Sequence, residues 1–104
     1  AFLEAGAVEV MQPDLARVGG VTEFLRIATL CEVYRVPVEP HLMMEASVHL
    51  ACGLPGVEGL EYMPWLTPVF AEPLQLEKGC LLAPQAPGLG LEISESLMEK
   101  YRVA

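Results

Sequence analysis

Val8 to Gln12 (VEVMQ) alternates apolar and polar residues with the period of a half-buried strand. Pro13 stops it, so Asp14 falls just past the strand's end. After Gly19 and Gly20, the run VTEFLRIATLCEVYR places Phe24, Ile27, Ala28, Cys31 and Tyr34 at helical spacing on one face, which predicts an amphipathic helix. Val36 to Glu39 (VPVE) reads as a second short strand. It ends in Pro40 and His41, as the first ends in Pro13 and Asp14. Met44 to Leu54 predicts a second helix with Met44, Val48, Ala51 and Cys52 on one side, punctuated by Gly53 and Pro55. Gly59 to Tyr62 (GLEY) is read as a brief third strand, and Ala1 to Ala7 as the last turn of a helix closing at Gly6.

Strand, helix, strand, helix, strand at this spacing predicts an α/β fold: a parallel sheet with crossover helices. Beyond Pro64 the pattern changes, because Pro64, Pro68, Pro73, Pro84 and Pro87 break the remainder into loops. Within it, Leu74 to Leu82 (LQLEKGCLL) predicts a hairpin turning at Lys78 and Gly79, and Pro87 to Gly90 (PGLG) a turn. Ser94 to Arg102 predicts a short helix with Ser94 as its N-cap. Two parts are therefore expected, residues 1–66 with the strands and helices and residues 67–104 as an extended tail.

The chain has 104 residues, one domain's worth at most and short for a closed α/β barrel of roughly 250. A net charge of −8, with only six Lys and Arg, argues against a nucleic-acid partner, because phosphates need clustered cations. Every apolar run is interrupted well short of the roughly 20 residues that span a bilayer, so no membrane segment is expected. Cys31, Cys52 and Cys80 are odd in number and widely spaced, and are expected to be small buried residues in a reducing cytoplasm. A hydrophobic content of 53% is high for a free-standing small domain, and implies that something else covers part of the surface.

In parallel α/β folds functional groups gather beyond the carboxyl ends of strands. Asp14, His41 and Glu61 take that position on three successive predicted strands. Adjacent strands lie about 4.8 Å apart, so an aspartate and a histidine at matching heights can hydrogen-bond. Asp14 would then fix the imidazole tautomer and His41 would act as general base or acid, with Glu61 as proton donor or partner to a substrate oxygen. Each also has a plain structural reading: Asp14 as a turn residue, His41 as a satisfied loop histidine, Glu61 as a solvated carboxylate. Their common placement is what favours a site. Glu45 and His49, four apart, read as a surface pair rather than metal ligands, Met43 and Met44 as core or pocket wall, and Tyr62 and Trp65 as packing residues. No phosphate loop, nucleophile elbow or dinucleotide fingerprint is present.

The run QPDLARVGGVTEFLRIATLCEVYRVPVEPH, with Asp14, Gly19, Gly20 and His41 at their spacing, resembles the mandelate racemase branch of the enolase superfamily, the mandelate racemase and muconate lactonizing enzyme family. The likeness continues through Glu61 in LEYMPW, Glu72 to Leu74, and Pro87 to Ile93 (PGLGLEI), nearly the whole chain. The resemblance implies the carboxy-terminal part of a TIM-like (β/α)7β barrel, about three βα units, with a tail that packs on barrel and capping domain. It implies abstraction of the proton α to a carboxylate, with the enediolate stabilised on Mg²⁺, in a racemase or dehydratase acting on a hydroxy acid or acid sugar. His41 would be base or acid, Asp14 its partner, and Glu61 the glutamate that hydrogen-bonds the substrate carboxylate.

By the same resemblance the Mg²⁺ carboxylates belong to earlier strands, so no metal ligand is expected in this chain. The chain alone is then expected to bind no Mg²⁺ specifically and to turn over no acid sugar. Open sheet edges and an uncovered apolar face lead to an expected homo-oligomer, such as a domain-swapped dimer. Two readings follow: the carboxy-terminal piece of a racemase or dehydratase, or a non-catalytic, self-associating remnant.

Overall fold

Gly19 and Gly20 both take positive φ, 97° and 105°, and release the chain into helix α1 (Val21–Tyr34). The helix ends in a left-handed residue, Arg35 (φ 57°), where Arg35 N–H donates to Glu32 O at 3.0 Å and Val36 N–H to Cys31 O at 2.9 Å. This pair of bonds satisfies carbonyls that the helix end would otherwise orphan. The same device closes the turn at the start of the chain: Gly6 (φ 59°) donates to Leu3 O and Ala7 to Phe2 O. The helical turn expected there is present as a hydrogen-bonded turn closing at Gly6, and the first helix is α1.

The computed structural model describes residues 1–103 and divides into two units, residues 1–62 and a second from Met63 onward. In the first unit three extended segments run parallel. Val38 bridges Met11 on one side and Val57 on the other, and Asp14 bridges His41 in the same register as Met11 and Val38. Met11 N–H donates to Pro37 O and Glu39 N–H to Met11 O; the next bond is His41 N–H to Pro13 O at 3.0 Å. Pro13 has no N–H to give in between, so the pairing is a set of isolated bridges rather than a continuous ladder. The third segment pairs at Val57 and Glu58, with Glu58 N–H donating to Val38 O. The expected strand at Gly59 to Tyr62 is thus corrected upstream, to where the β-branched Val57 can lie beside Val38.

The core of this unit is Leu15, Phe24, Ala28, Cys31 and Val38, with Met11, Val18, Ile27, Leu50 and Val57 packed around it. Phe24, Cys31 and Val38 are fully buried. Of the predicted inward face of α1, Tyr34 departs: it sits at the helix end, 43% exposed, past the reach of the core.

Helix α2 (Met44–Gly53) buries Met44, Glu45, Ser47 and Val48. The predicted face held Ala51 and Cys52 instead, and Cys52 is exposed. Glu45 and His49 are not a surface pair, because Glu45 is 4% exposed and neither of its oxygens has a hydrogen-bond partner. Which helical face turns inward depends on how the chain enters the helix, and α2 is entered through two left-handed residues, Leu42 and Met43.

The second unit opens with a 3₁₀ helix (Pro64–Val69). Strands β1 (Leu76–Glu77) and β2 (Cys80–Leu81) pair antiparallel as Leu76 with Leu81 and Glu77 with Cys80. Lys78 (φ 51°) and Gly79 (φ 84°) make the tight turn, as predicted. Phe70 bridges Ile93, and α3 (Glu95–Tyr101) follows with Ser94 Oγ accepting from Leu97 N–H, again as predicted. In the PGLG turn, Gly90 has φ 65°, and a Cβ there would lie 2.4 Å from Pro84 Cβ, so only glycine fits. No described residue of this unit is fully buried. Trp65 (69% exposed) therefore has no core to enter, and Tyr62, at the end of the first unit, is also exposed, contrary to the packing role expected of both. Cys80 is exposed like Cys52, which leaves Cys31 as the one cysteine that is buried as expected. No helix among the described residues is long and apolar enough to cross a membrane.

Candidate active site

Pro13 ends the first extended segment and Asp14 turns the chain. Its Oδ1 accepts from Ala16 N–H at 2.9 Å and Arg17 N–H at 3.0 Å, the local bonding that makes Asp a turn residue. With Oδ1 held, Oδ2 is aimed across the parallel bridge, 3.2 Å from His41 Nδ1. Arg17 Nε lies 3.3 Å from the same oxygen. The Asp14 side chain is only 10% exposed. The Arg17 backbone N–H holds the Asp14 carboxyl below the usual carboxylate value; burial opposes this, and His41, Ala16 and the Arg17 charge add to the lowering.

An ionised Asp14 accepts a hydrogen bond from Nδ1–H and so favours the tautomer that leaves a lone pair on Nε2. That nitrogen is 3.8 Å from Glu61 Oε2. Glu61 Oε2 in turn accepts from Leu42 N–H at 2.9 Å. The backbone beside His41 is unusual: Leu42 (φ 54°) and Met43 (φ 48°) are successive non-glycine residues in the left-handed region. Each such residue costs roughly 1–2 kcal/mol and persists only where its surroundings impose it.

Asp14, His41 and Glu61 are thus brought together, with the imidazole between two carboxylates. Glu45 and His49 contribute no metal site, since no group of three or more His, Cys, Asp or Glu among the described residues could hold a metal ion. Asp14 does not suit one either, because both its oxygens already face N–H donors. The described residues therefore do not fit a Mg²⁺ ion. Arg17 escaped the sequence reading, although its place three residues after Asp14 was the available signal. The Leu42–Met43 turn had none, because neither residue type favours positive φ.

Parallel segments joined through α1 and α2, with polar groups gathered past the segment ends, make this an α/β structure of the barrel class, part of a TIM-type barrel. Residues 1–97 match the family described as Enolase C-terminal domain-like, and the chain belongs to that family, as the resemblance implied. It is 38% identical over 89 residues to the L-talarate/galactarate dehydratase of Salmonella typhimurium, covering 86% of this chain and 22% of that protein. With the D-gluconate dehydratase of Thermoproteus tenax it shares 32% identity over 111 residues, covering 97% of this chain and 22% of the relative. The crystal structure of L-talarate dehydratase from Polaromonas sp. JS666, complexed with Mg and L-glucarate, superposes with a TM-score of 0.85 at 39% identity, over 93% of this chain and 27% of that one. The chain therefore spans about a quarter of the length of these relatives.

Proposed function

We propose that this chain supplies the acid/base side of a Mg²⁺-dependent sugar-acid dehydratase of the mandelate racemase branch, in which His41 moves the proton, Asp14 orients it and Glu61 meets the substrate. The observation that carries the reading is the 3.2 Å contact from Asp14 Oδ2 to His41 Nδ1, which leaves Nε2 as the working nitrogen. Two relatives are named as dehydratases of sugar acids, and a third was crystallised with Mg and L-glucarate.

With Nδ1–H held by Asp14, Nε2 takes a proton from the carbon next to a carboxylate, or as imidazolium gives one to a departing hydroxyl. Leu42 N–H occupies Glu61 Oε2, so Oε1 is the oxygen offered to the substrate. On this reading the residues that hold Mg²⁺ lie outside this chain, and the chain alone is inactive.

The test is a chimera in which these residues replace the matching segment of the Salmonella dehydratase, assayed for galactarate dehydration. The chimera should be active, and His41→Asn should lower its rate roughly 10²–10⁴-fold. Equal activity with and without His41 would refute the assignment, and dehydration by the isolated chain would refute its inactivity.

A second reading, self-association without catalysis, draws on α1. Leu25, Leu30 and Val33 are exposed on the side of the helix away from the buried Phe24, Ala28 and Cys31, and form an apolar patch beside Arg26 and Thr29. Light scattering should then show a dimer or larger species, and a stable monomer at micromolar concentration would remove this reading.

A further inference from the structure

We infer that Glu61 is a positioning residue for His41: its Oε2, by holding Leu42 N–H, fixes the left-handed Leu42–Met43 turn and so sets the imidazole against Asp14. The inference rests on the proposed acid/base role of His41 but adds a duty that the resemblance does not give Glu61, which there serves the substrate carboxylate alone.

His41 is pinned on its amino-terminal side by the parallel bridge, where its own N–H donates to Pro13 O at 3.0 Å. On its carboxy-terminal side the chain enters two left-handed residues and then α2, whose first turn has no side-chain cap. A conformation this unfavourable needs an external hold. The side-chain hold present is the 2.9 Å bond from Leu42 N–H to Glu61, nineteen residues away in sequence. The separation from the same Glu61 oxygen to His41 Nε2, 3.8 Å, is too long for a hydrogen bond, so the backbone contact is what anchors the carboxylate. A bond to a charged acceptor is also stronger than one to a neutral group. The groups facing the imidazole are then Asp14, backed by Arg17, and Glu61. Glu61 divides its oxygens: Oε2 serves the protein, and Oε1 is left for a ligand.

Amide hydrogen exchange of this chain by NMR tests the inference, with the His41 amide as internal reference. Glu61→Gln keeps a carbonyl acceptor, and Glu61→Leu removes it. Leu42 should exchange roughly tenfold or more faster in Glu61→Leu, and within about threefold of the parent in Glu61→Gln. The downfield Nδ1–H resonance of His41 should persist in Glu61→Gln and vanish in Glu61→Leu. Adding Leu42→Gly to Glu61→Leu should restore it, because glycine adopts the left-handed conformation without the hold. Unchanged Leu42 protection in Glu61→Leu, or equal loss in both single variants, overturns the inference. If Glu61→Leu does not fold, the double variant decides: a folded double variant supports the inference, and an unfolded one overturns it. Exchange needs no substrate, so this result and the chimera assay succeed or fail separately.

Discussion

His41 Nδ1 and Asp14 Oδ2 lie 3.2 Å apart because their residues are directly paired on adjacent parallel segments, each just past a proline. The side chains face each other through backbone register, and Oδ1 is tied down locally so that Oδ2 points across. This geometry makes Asp14 replaceable in one respect only. Asn keeps an oxygen for Ala16 and Arg17 N–H but cannot offer a charged acceptor to Nδ1–H. In the chimera, Asp14→Asn should therefore lower the rate roughly 10²–10⁴-fold with little change in folding, as read from steady-state kinetics beside circular dichroism.

Asp14 also links stability to pH. Its carboxyl titrates below the ordinary value in the folded chain, chiefly through the Arg17 backbone N–H. Its contribution to stability is thus complete above pH of about 4 and is lost as pH falls through the lower folded value. Urea midpoints measured at pH 6 and pH 3 should fall less steeply in Asp14→Asn than in the parent chain. An equal fall would show that the carboxylate's hydrogen bonds carry no net stability.

Phe24 is fully buried at the centre of the first unit. Truncation to Ala removes its ring from the core, and should cost about 3–5 kcal/mol of unfolding free energy. Denaturant titration checks this. Val33→Ala, on the exposed side of the same helix, should change stability by less than about 0.5 kcal/mol.

The three thiols should separate by rate. Cys52 and Cys80 are exposed, whereas Cys31 is fully buried and burial pushes its thiol pKa up, which lowers the thiolate fraction. Under native conditions a thiol reagent should label Cys52 and Cys80 quickly and Cys31 slowly. In denaturant all three should react alike, and mass spectrometry of the labelled peptides identifies each.

The amino-acid sequence by itself determined whatever depends on neighbours a few residues apart. Period and flanking glycines specify α1, Lys78 and Gly79 specify the hairpin turn, and Ser94 specifies the start of α3. The repeated proline and polar ending of two strands was enough to single out Asp14 and His41, because strand ends are local features and parallel pairing aligns them. Tertiary structure decided the rest. The third segment pairs at Val57 because Val38 is there to receive it, and α2 buries Glu45 and Ser47 because of how the chain enters the helix. The Leu42–Met43 turn and the exposure of Tyr34, Cys52 and Trp65 depend on which distant groups are within reach. Burial and backbone strain are properties of the assembled chain, and no local pattern of residue types encodes them.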